Sequence, residues 1–323
     1  MLQNQLKKID IYKTELDKKR PFEGHLLEQI KNYYKIGLTY SSNALEGNTL
    51  TESETKVLLE DGLTVGGKPF KDFLETEGHA KAYDYMFSLI NSNKITKENI
   101  LEMHHLFYNS IDPKNAGKYR DIEVLITGSK YPVCPVEEIE AQMNELCKWI
   151  NEKRQDYHPV VFAALLHKKL VFIHPFVDGN GRISRLIMNL ALIQKGYMIA
   201  IIPPVLRQEY IYDLEIAHED DTKFIEFIGG LPLVAHNIDF DYGFLCENYN
   251  RVYKKEFNRK KSCTMKMYRK WYKDQYDENA PCAKLGDVVL ELLGNEEYLS
   301  YLSNSHRGLN DAEFTQKVYE NLI

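Results

Sequence analysis

The sequence predicts a mainly α protein with one short hairpin. Apolar residues recur at three- and four-residue intervals along most of its 323 residues, the spacing that lines one face of a helix. Strand-like character is confined to one passage near residue 125, and glycine and proline cluster where the helical spacing breaks.

Residues 1–40 read as mostly helix, with Leu26, Leu27, Ile30, Tyr33 and Tyr34 on one stripe. A polar stretch follows, in which Thr51-Glu52-Ser53-Glu54 is a helix start with acids in its first turn. Residues 62–73 hold three glycines and a proline and read as a loop. Helical spacing returns over Phe73–Leu89, Ile100–Phe107 and Val136–Ile150. Between the last two, Ile122–Thr127 has strand character and Tyr131–Pro135 follows Gly128-Ser129-Lys130, which predicts a hairpin. Pro132 and Pro135 confine its second arm to an edge or leave it barely a strand. From Pro159 to about Ile228 the chain is helical again, broken at 174–181 and at Ile202-Pro203-Pro204. The expected organisation is an N-terminal helical region (1–92), a core (93–235) and a C-terminal helical region of unassigned role (236–323).

Hydrophobic residues make up 44% of the chain and charged residues 27%, with 41 Lys+Arg against 47 Asp+Glu for a net charge of −6. That balance suits a folded globular protein. It excludes a surface that is basic throughout, so nucleic acid is not an expected partner. The stretch Lys254–Lys273, where lysines and arginines alternate with Phe257, Tyr268, Trp271 and Tyr272, reads either as a nucleic-acid surface or as a solvated helix face with its aromatics turned inward. Five cysteines without a CxxC pair fit a reducing compartment. No run approaches the ~18 apolar residues of a membrane helix, and the charged first twenty residues lack the apolar stretch of a secretory signal. The expectation is a soluble, cytoplasmic protein with no membrane partner.

One segment carries chemistry: His174-Pro175-Phe176-Val177-Asp178-Gly179-Asn180-Gly181-Arg182-Ile183-Ser184-Arg185. Pro175 cannot continue the preceding helix, which leaves His174 at its end. Gly179, Asn180 and Gly181 are three residues able to present backbone N–H groups with little obstruction, and a loop of such donors entering a helix start is an anion site. Arg182 and Arg185, three apart, share a helix face near that start, where the dipole disfavours cations unless a polyanion is bound. Asp178 suits a hard divalent cation that bridges phosphates, and His174 suits a general base at neutral pH. Each piece alone has a plainer reading: a tight turn for Gly-Asn-Gly, a packed core residue for the histidine, a turn or cap residue for the aspartate. Their concentration within one short segment favours the functional reading.

The segment is a full match to HPFx[DE]GNGRxxR, the signature motif of the Fic family of nucleotide-dependent protein-modifying enzymes. Gly117-Lys118-Tyr119-Arg120 with the strand-like passage resembles the family's flap, and Arg207-Gln208-Glu209-Tyr210 with Leu214 and Ala217 resembles its nucleotide-base region. The resemblance spans about residues 30–230. It implies a Fic-type helical core in which His174 deprotonates a Ser, Thr or Tyr hydroxyl of a target protein, the oxygen attacks the α-phosphorus of ATP, and AMP is transferred as pyrophosphate leaves. Asp178 is then the residue for Mg²⁺ or Mn²⁺. Gly179, Asn180 and Gly181 cradle the phosphates, Arg182 meets their β/γ end and Arg185 the γ-phosphate. Phe176 packs beneath the loop. Val124, Leu125, Ile126, Thr127 and Gly128 form the flap that clamps the target by strand-like pairing. Tyr210 lines the adenine pocket, unless it is a plain core aromatic. His218 stands where relatives often carry asparagine, which leaves the base contact open.

Ser42-Asn43-Ala44-Leu45-Glu46-Gly47 matches the family's inhibitory motif [ST]xxxE[GN]. Alone, that pattern is more often a helix cap. In the family it places the glutamate against the second arginine, so the resemblance implies a Glu46–Arg185 pair, on a helix carrying Ser42, that denies Arg185 to the γ-phosphate. Self-modification and a homodimer are further partners to consider. Within the same fold, transfer of UMP or phosphocholine, or removal of AMP with Glu46 orienting a water, stay open. A kinase is disfavoured, because relatives that phosphorylate replace the part of the motif retained here as Gly181 and Arg185. A non-catalytic regulator that keeps the fold is the alternative from another class, and the intact His174 and Asp178 speak against it.

Overall fold

The computed structural model describes residues 2–230, apart from 19 and 93, together with residues 233–235 and 261–263. The helices in order are α1 (Leu2–Asp17), α2 (Gly24–Ala44), α3 (Glu52–Asp61), α4 (Phe70–Ser88), α5 (Lys97–Tyr108), α6 (Ile139–Lys153), α7 (Pro159–Ile173), α8 (Asn180–Ile193), α9 (Arg207–Ile216) and α10 (Thr222–Gly229). Local signals set many of the boundaries. Thr51 and Glu54 form a reciprocal capping box at α3, as the sequence predicts, and Thr96 with Asn99 forms another at α5. Pro159 occupies the first turn of α7, where its missing N–H costs nothing.

Helix α8 is the centre of the fold. All its residues but Gly181 are buried, so the polar Asn180, Arg182, Ser184, Arg185 and Asn189 lie inside the fold along with its apolar side chains. Helices α2, α4, α5 and α7 pack around it. Its buried side chains Ile183, Leu186, Ile187 and Leu190 are shielded by Phe107, Phe162 and others from those helices. A charged group near the start of α8 therefore sits at the edge of a dry core, where an ion pair is screened less than at the surface.

Residues 1–229 form one compact unit, so the first two regions expected from the sequence pack together without a break at residue 92. The second unit begins at Gly230. Its described residues are two strands, β1 (Leu233–Ala235) and β2 (Lys261–Cys263), paired in parallel with Leu233 opposite Lys261. The helical expectation for 236–323 thus meets one short strand at 261–263, within the basic stretch. The rest of that region lies outside the described residues.

The predicted hairpin is not formed as strands. Residues 121–135 are irregular, with a turn at Thr127–Gly128 that Gly128 supports with φ +88°. Two prolines remove ladder donors, and side chains take over the pairing instead. Arg120 donates from Nη1 to the Ile122 carbonyl (3.0 Å) and from Nη2 to the Cys134 carbonyl, and Glu123 accepts the Val136 N–H (3.0 Å). Among the described residues no helix is long and apolar enough to cross a membrane.

Candidate active site

His174 ends α7 in the left-handed conformation, φ +52°, the only non-glycine with positive φ among the described residues. This turns the chain out of the helix into Pro175. Its Nδ1 lies 3.2 Å from the Val171 carbonyl and so donates to it, which leaves the Nε2 lone pair as the basic site. Burial lowers its pKa, an effect that Arg120 reinforces and that the Val171 contact, Glu46 and Asp178 oppose. At neutral pH the imidazole is therefore a neutral base.

The loop that follows is closed by Asn180. Its side chain accepts the Phe176 N–H (2.9 Å) and donates to the Phe176 carbonyl (2.8 Å), so the amide is spent on the loop and is not itself a phosphate ligand. Gly179 takes φ +84° before α8, and a β-carbon there would meet the Phe107 ring. The backbone N–H groups of Asn180, Gly181 and Arg182 open the helix and have no carbonyl four residues back to bond. Phe176 is fully buried and stacks at 3.8 Å on His104. Sequence reading missed His104: its Nδ1 accepts the Gly117 N–H (3.0 Å), so Nε2 donates to the Asp178 carbonyl (3.1 Å). Burial first, with smaller contributions from Arg182 and His105, depresses its pKa to about 4, and it joins the flap root to the loop as a neutral group.

Asp178 accepts the Gly179 N–H and an Arg182 Nη2 donor (2.9 Å) through Oδ1. Burial would raise its pKa, but Arg182, the Gly179 N–H and Lys71 hold it below the ordinary range. Its Oδ2 lies 3.8 Å from the Lys71 ammonium and accepts no hydrogen bond from the described residues. Among the described residues no group of three or more His, Cys, Asp or Glu is placed to hold a metal. One carboxylate with a free oxygen is nevertheless the protein contribution that suits Mg²⁺, which fills the remaining positions with phosphate oxygens and water. Arg182 is buried, lies 4.6 Å above the Phe107 ring and pairs with Glu75 of α4 at 3.1 Å. Asn48 donates to the other Glu75 oxygen at 3.0 Å. Glu75 and Asn48 also escaped sequence reading; Glu75 shares its buried helix face with Asp72, Thr76 and His79, so nothing in the pattern sets it apart.

Arg185 is 1% exposed, and all its polar groups are engaged. Nε donates to Ser42 Oγ (2.9 Å), Nη1 to the Tyr210 hydroxyl (3.2 Å), and Nη2 to the Ser42 carbonyl (2.8 Å) and Glu46 Oε1 (2.7 Å). Burial would raise the Glu46 pKa, but Arg185 and Arg182 bring it below the ordinary carboxylate value. Glu46 lies directly over Gly181: a β-carbon at that position would collide with its Oε1. The turn carrying Glu46 is pinned on both sides. Arg207 donates to the Leu45 carbonyl (2.7 Å), and Thr49 donates to Asp72 through N (2.8 Å) and Oγ1 (2.6 Å).

Of the two readings that the sequence leaves open for Tyr210, its packing is that of a core aromatic. It is 2% exposed, its hydroxyl donates to His167 Nε2 (3.0 Å) while accepting from Arg185, and Phe224 and Phe227 pack against its ring. It is a core residue behind Arg185 with no face left for a base. Both faces of His218 are also taken, by Phe172 at 3.7 Å and Tyr131 at 3.9 Å, which leaves only its edge. The flap is held over this helix by Glu215, which accepts from Ser129 Oγ (2.9 Å) and the Lys130 N–H (2.7 Å), and by Glu219, which accepts from the Tyr131 hydroxyl (2.6 Å). Leu125, at the flap tip, is 92% exposed. Val124, Ile126, Thr127 and Gly128 flank it without strand pairing.

The helical core thus brings a neutral histidine, one carboxylate and two buried arginines to a glycine-containing helix start, an arrangement suited to an anionic ligand. The Fic/DOC family model matches residues 94–192. The chain is 40% identical over 192 residues to the protein adenylyltransferase Fic of Drosophila grimshawi, and equally to that of Drosophila melanogaster; the match takes in 58% of this chain and 39% of each relative. The chain thus spans about two fifths of the length of these curated relatives. Among solved structures, Fic-1 from C. elegans superposes with a TM-score of 0.63 at 30% identity, covering 71% of this chain and 68% of that one. A Fic-domain signalling protein from Bacteroides thetaiotaomicron also gives 0.63, at 28% identity, with 70% and 92% covered. The chain belongs to the Fic family.

Proposed function

We propose that this chain is a protein adenylyltransferase that moves AMP from ATP to a Ser, Thr or Tyr hydroxyl of a target protein, and that Glu46 restrains it. The observation that carries the reading is the complete motif folded as one loop, with the free Nε2 of His174, the Asp178 carboxylate and the open N–H groups of α8 on the same turn. The naming of the Drosophila relatives as protein adenylyltransferases supports the choice of reaction.

His174 Nε2 takes the proton of the target hydroxyl. The oxygen forms its bond to the α-phosphorus as the bond to pyrophosphate breaks, and pyrophosphate leaves with the electron pair. The N–H groups of Asn180, Gly181 and Arg182 and the helix dipole receive the phosphates. Asp178 would be the residue to hold a divalent cation, which would supply charge neutralisation to the phosphates. Arg182 is already oriented by Glu75, whereas Arg185 becomes available to the γ-phosphate only when Glu46 gives it up. The exposed flap residues Leu125 and Ile126 are placed to meet a target segment through backbone pairing. Five cysteines without a CxxC pair favour a reducing compartment such as the cytoplasm for this chain.

Intact and peptide mass spectrometry tests donor and acceptor together. Glu46→Gly is incubated with host lysate and, in separate reactions, ATP, UTP or CDP-choline. The expected product is an AMP adduct on a hydroxyl side chain, formed from ATP alone. A UMP or phosphocholine adduct, or no adduct with any donor, contradicts the reading.

A further inference from the structure

Lys71 closes a ring of four alternating charges at the phosphate end of the site. Its Nζ lies 3.4 Å from Glu75 Oε1; Glu75 Oε1 lies 3.1 Å from Arg182; Arg182 lies 2.9 Å from Asp178 Oδ1; and Asp178 Oδ2 lies 3.8 Å from Lys71. Glu75 and Arg182 are buried and cannot leave, and Asp178 is fixed by the loop. The Lys71 side chain is 59% exposed and is the one member free to swing away. Its position is also costly by itself, because it is the second residue of α4, where the helix dipole disfavours a cation. The two carboxylates offset that cost.

We infer that Lys71 is a resident counter-ion for the Asp178 carboxylate, which a divalent cation must displace, so that this lysine sets the metal affinity of the site. The inference rests on the proposed role of Asp178 as the metal carboxylate. Asp178 Oδ1 is already bonded twice, so an incoming cation takes Oδ2, the oxygen that Lys71 faces. Both cannot sit there at full strength, since two positive charges within a few ångströms of one carboxylate oxygen repel. Once displaced, the ammonium remains at the rim of a site built for phosphates.

The test is Mn²⁺ binding to the full chain without nucleotide, read from the EPR signal of the free ion. Wild type is compared with Lys71→Ala, Lys71→Arg, Asp178→Asn and the double variant Lys71→Ala/Asp178→Asn. Lys71→Ala is expected to tighten Mn²⁺ binding by roughly two- to fivefold, the scale of a partly exposed ion pair. Lys71→Arg is expected to stay near wild type, and the double variant to match Asp178→Asn. Unchanged or weaker binding by Lys71→Ala, with Asp178→Asn still impaired, overturns the inference alone. Wild-type binding by Asp178→Asn, or no binding by any protein at millimolar ion, removes the assignment of the metal to Asp178 and the inference with it.

Discussion

Glu46→Gly is expected to raise the incorporation of α-phosphate label from ATP by about ten- to a hundredfold over wild type, on the chain itself or on a target protein. The magnitude follows from the bond removed. Glu46 Oε1 meets Arg185 Nη2 at 2.7 Å at the edge of the core, a charge-assisted hydrogen bond of roughly 1.5–3 kcal/mol, and each ~1.4 kcal/mol is a factor of ten in an equilibrium. The substitution leaves the guanidinium in place, because Ser42 and Tyr210 still hold its other N–H groups. It also clears the space over Gly181, where the Glu46 carboxylate now lies against the phosphate cradle. A bulkier neutral replacement should free Arg185 without clearing that space, so Glu46→Gln is expected to be less active than Glu46→Gly. Equal labelling by wild type and Glu46→Gly removes the brake from the account.

His174→Ala, introduced into the Glu46→Gly background, is expected to lower the transfer rate by at least about a hundredfold, the scale of a lost general base. His174 makes one hydrogen bond through its side chain, to Val171 in its own helix, so folding and nucleotide affinity should survive the change. The loss therefore falls on turnover and not on binding, which a parallel measurement of nucleotide affinity checks. The pH dependence has a definite sign. Burial lowers the His174 pKa, so the base is fully available at neutral pH and above, and the rate falls as pH drops below the ordinary histidine range of about 6.5. A rate that rises on acidification contradicts a base at this position.

The helical core and the motif loop are legible in the sequence because both are local. Pro175 must end α7, and Gly179 must turn into α8. Phe176 beneath the loop is what the family resemblance implies, and the residue is fully buried. Glu75, Asn48, His104 and Lys71 were not legible, because each comes from a part of the chain distant in sequence from the loop, Asn48 from the segment between α2 and α3 and the others from helices, and carries no local pattern of its own. The flap shows competition between signals. The alternation of Ile122, Val124 and Ile126 is genuine strand chemistry, yet Pro132 and Pro135 remove ladder donors and Arg120 satisfies carbonyls in both arms. The sequence left Tyr210 open between a base contact and a core position for a geometric reason: one step along a helix turns the side chain by about 100°, and on α9 that step separates buried Tyr210 from half-exposed Ile211.

The central claim is that the loop from His174 to Arg185 transfers the adenylyl group and not the terminal phosphate. Parallel incubation of Glu46→Gly with ATP labelled at the α-phosphorus and with ATP labelled at the γ-phosphorus tests it most directly. The expected result is protein-bound label from α-labelled ATP only, with the γ-label recovered in pyrophosphate and both signals absent from Glu46→Gly/His174→Ala. Protein-bound label from γ-labelled ATP, or α-label that persists without His174, contradicts the account.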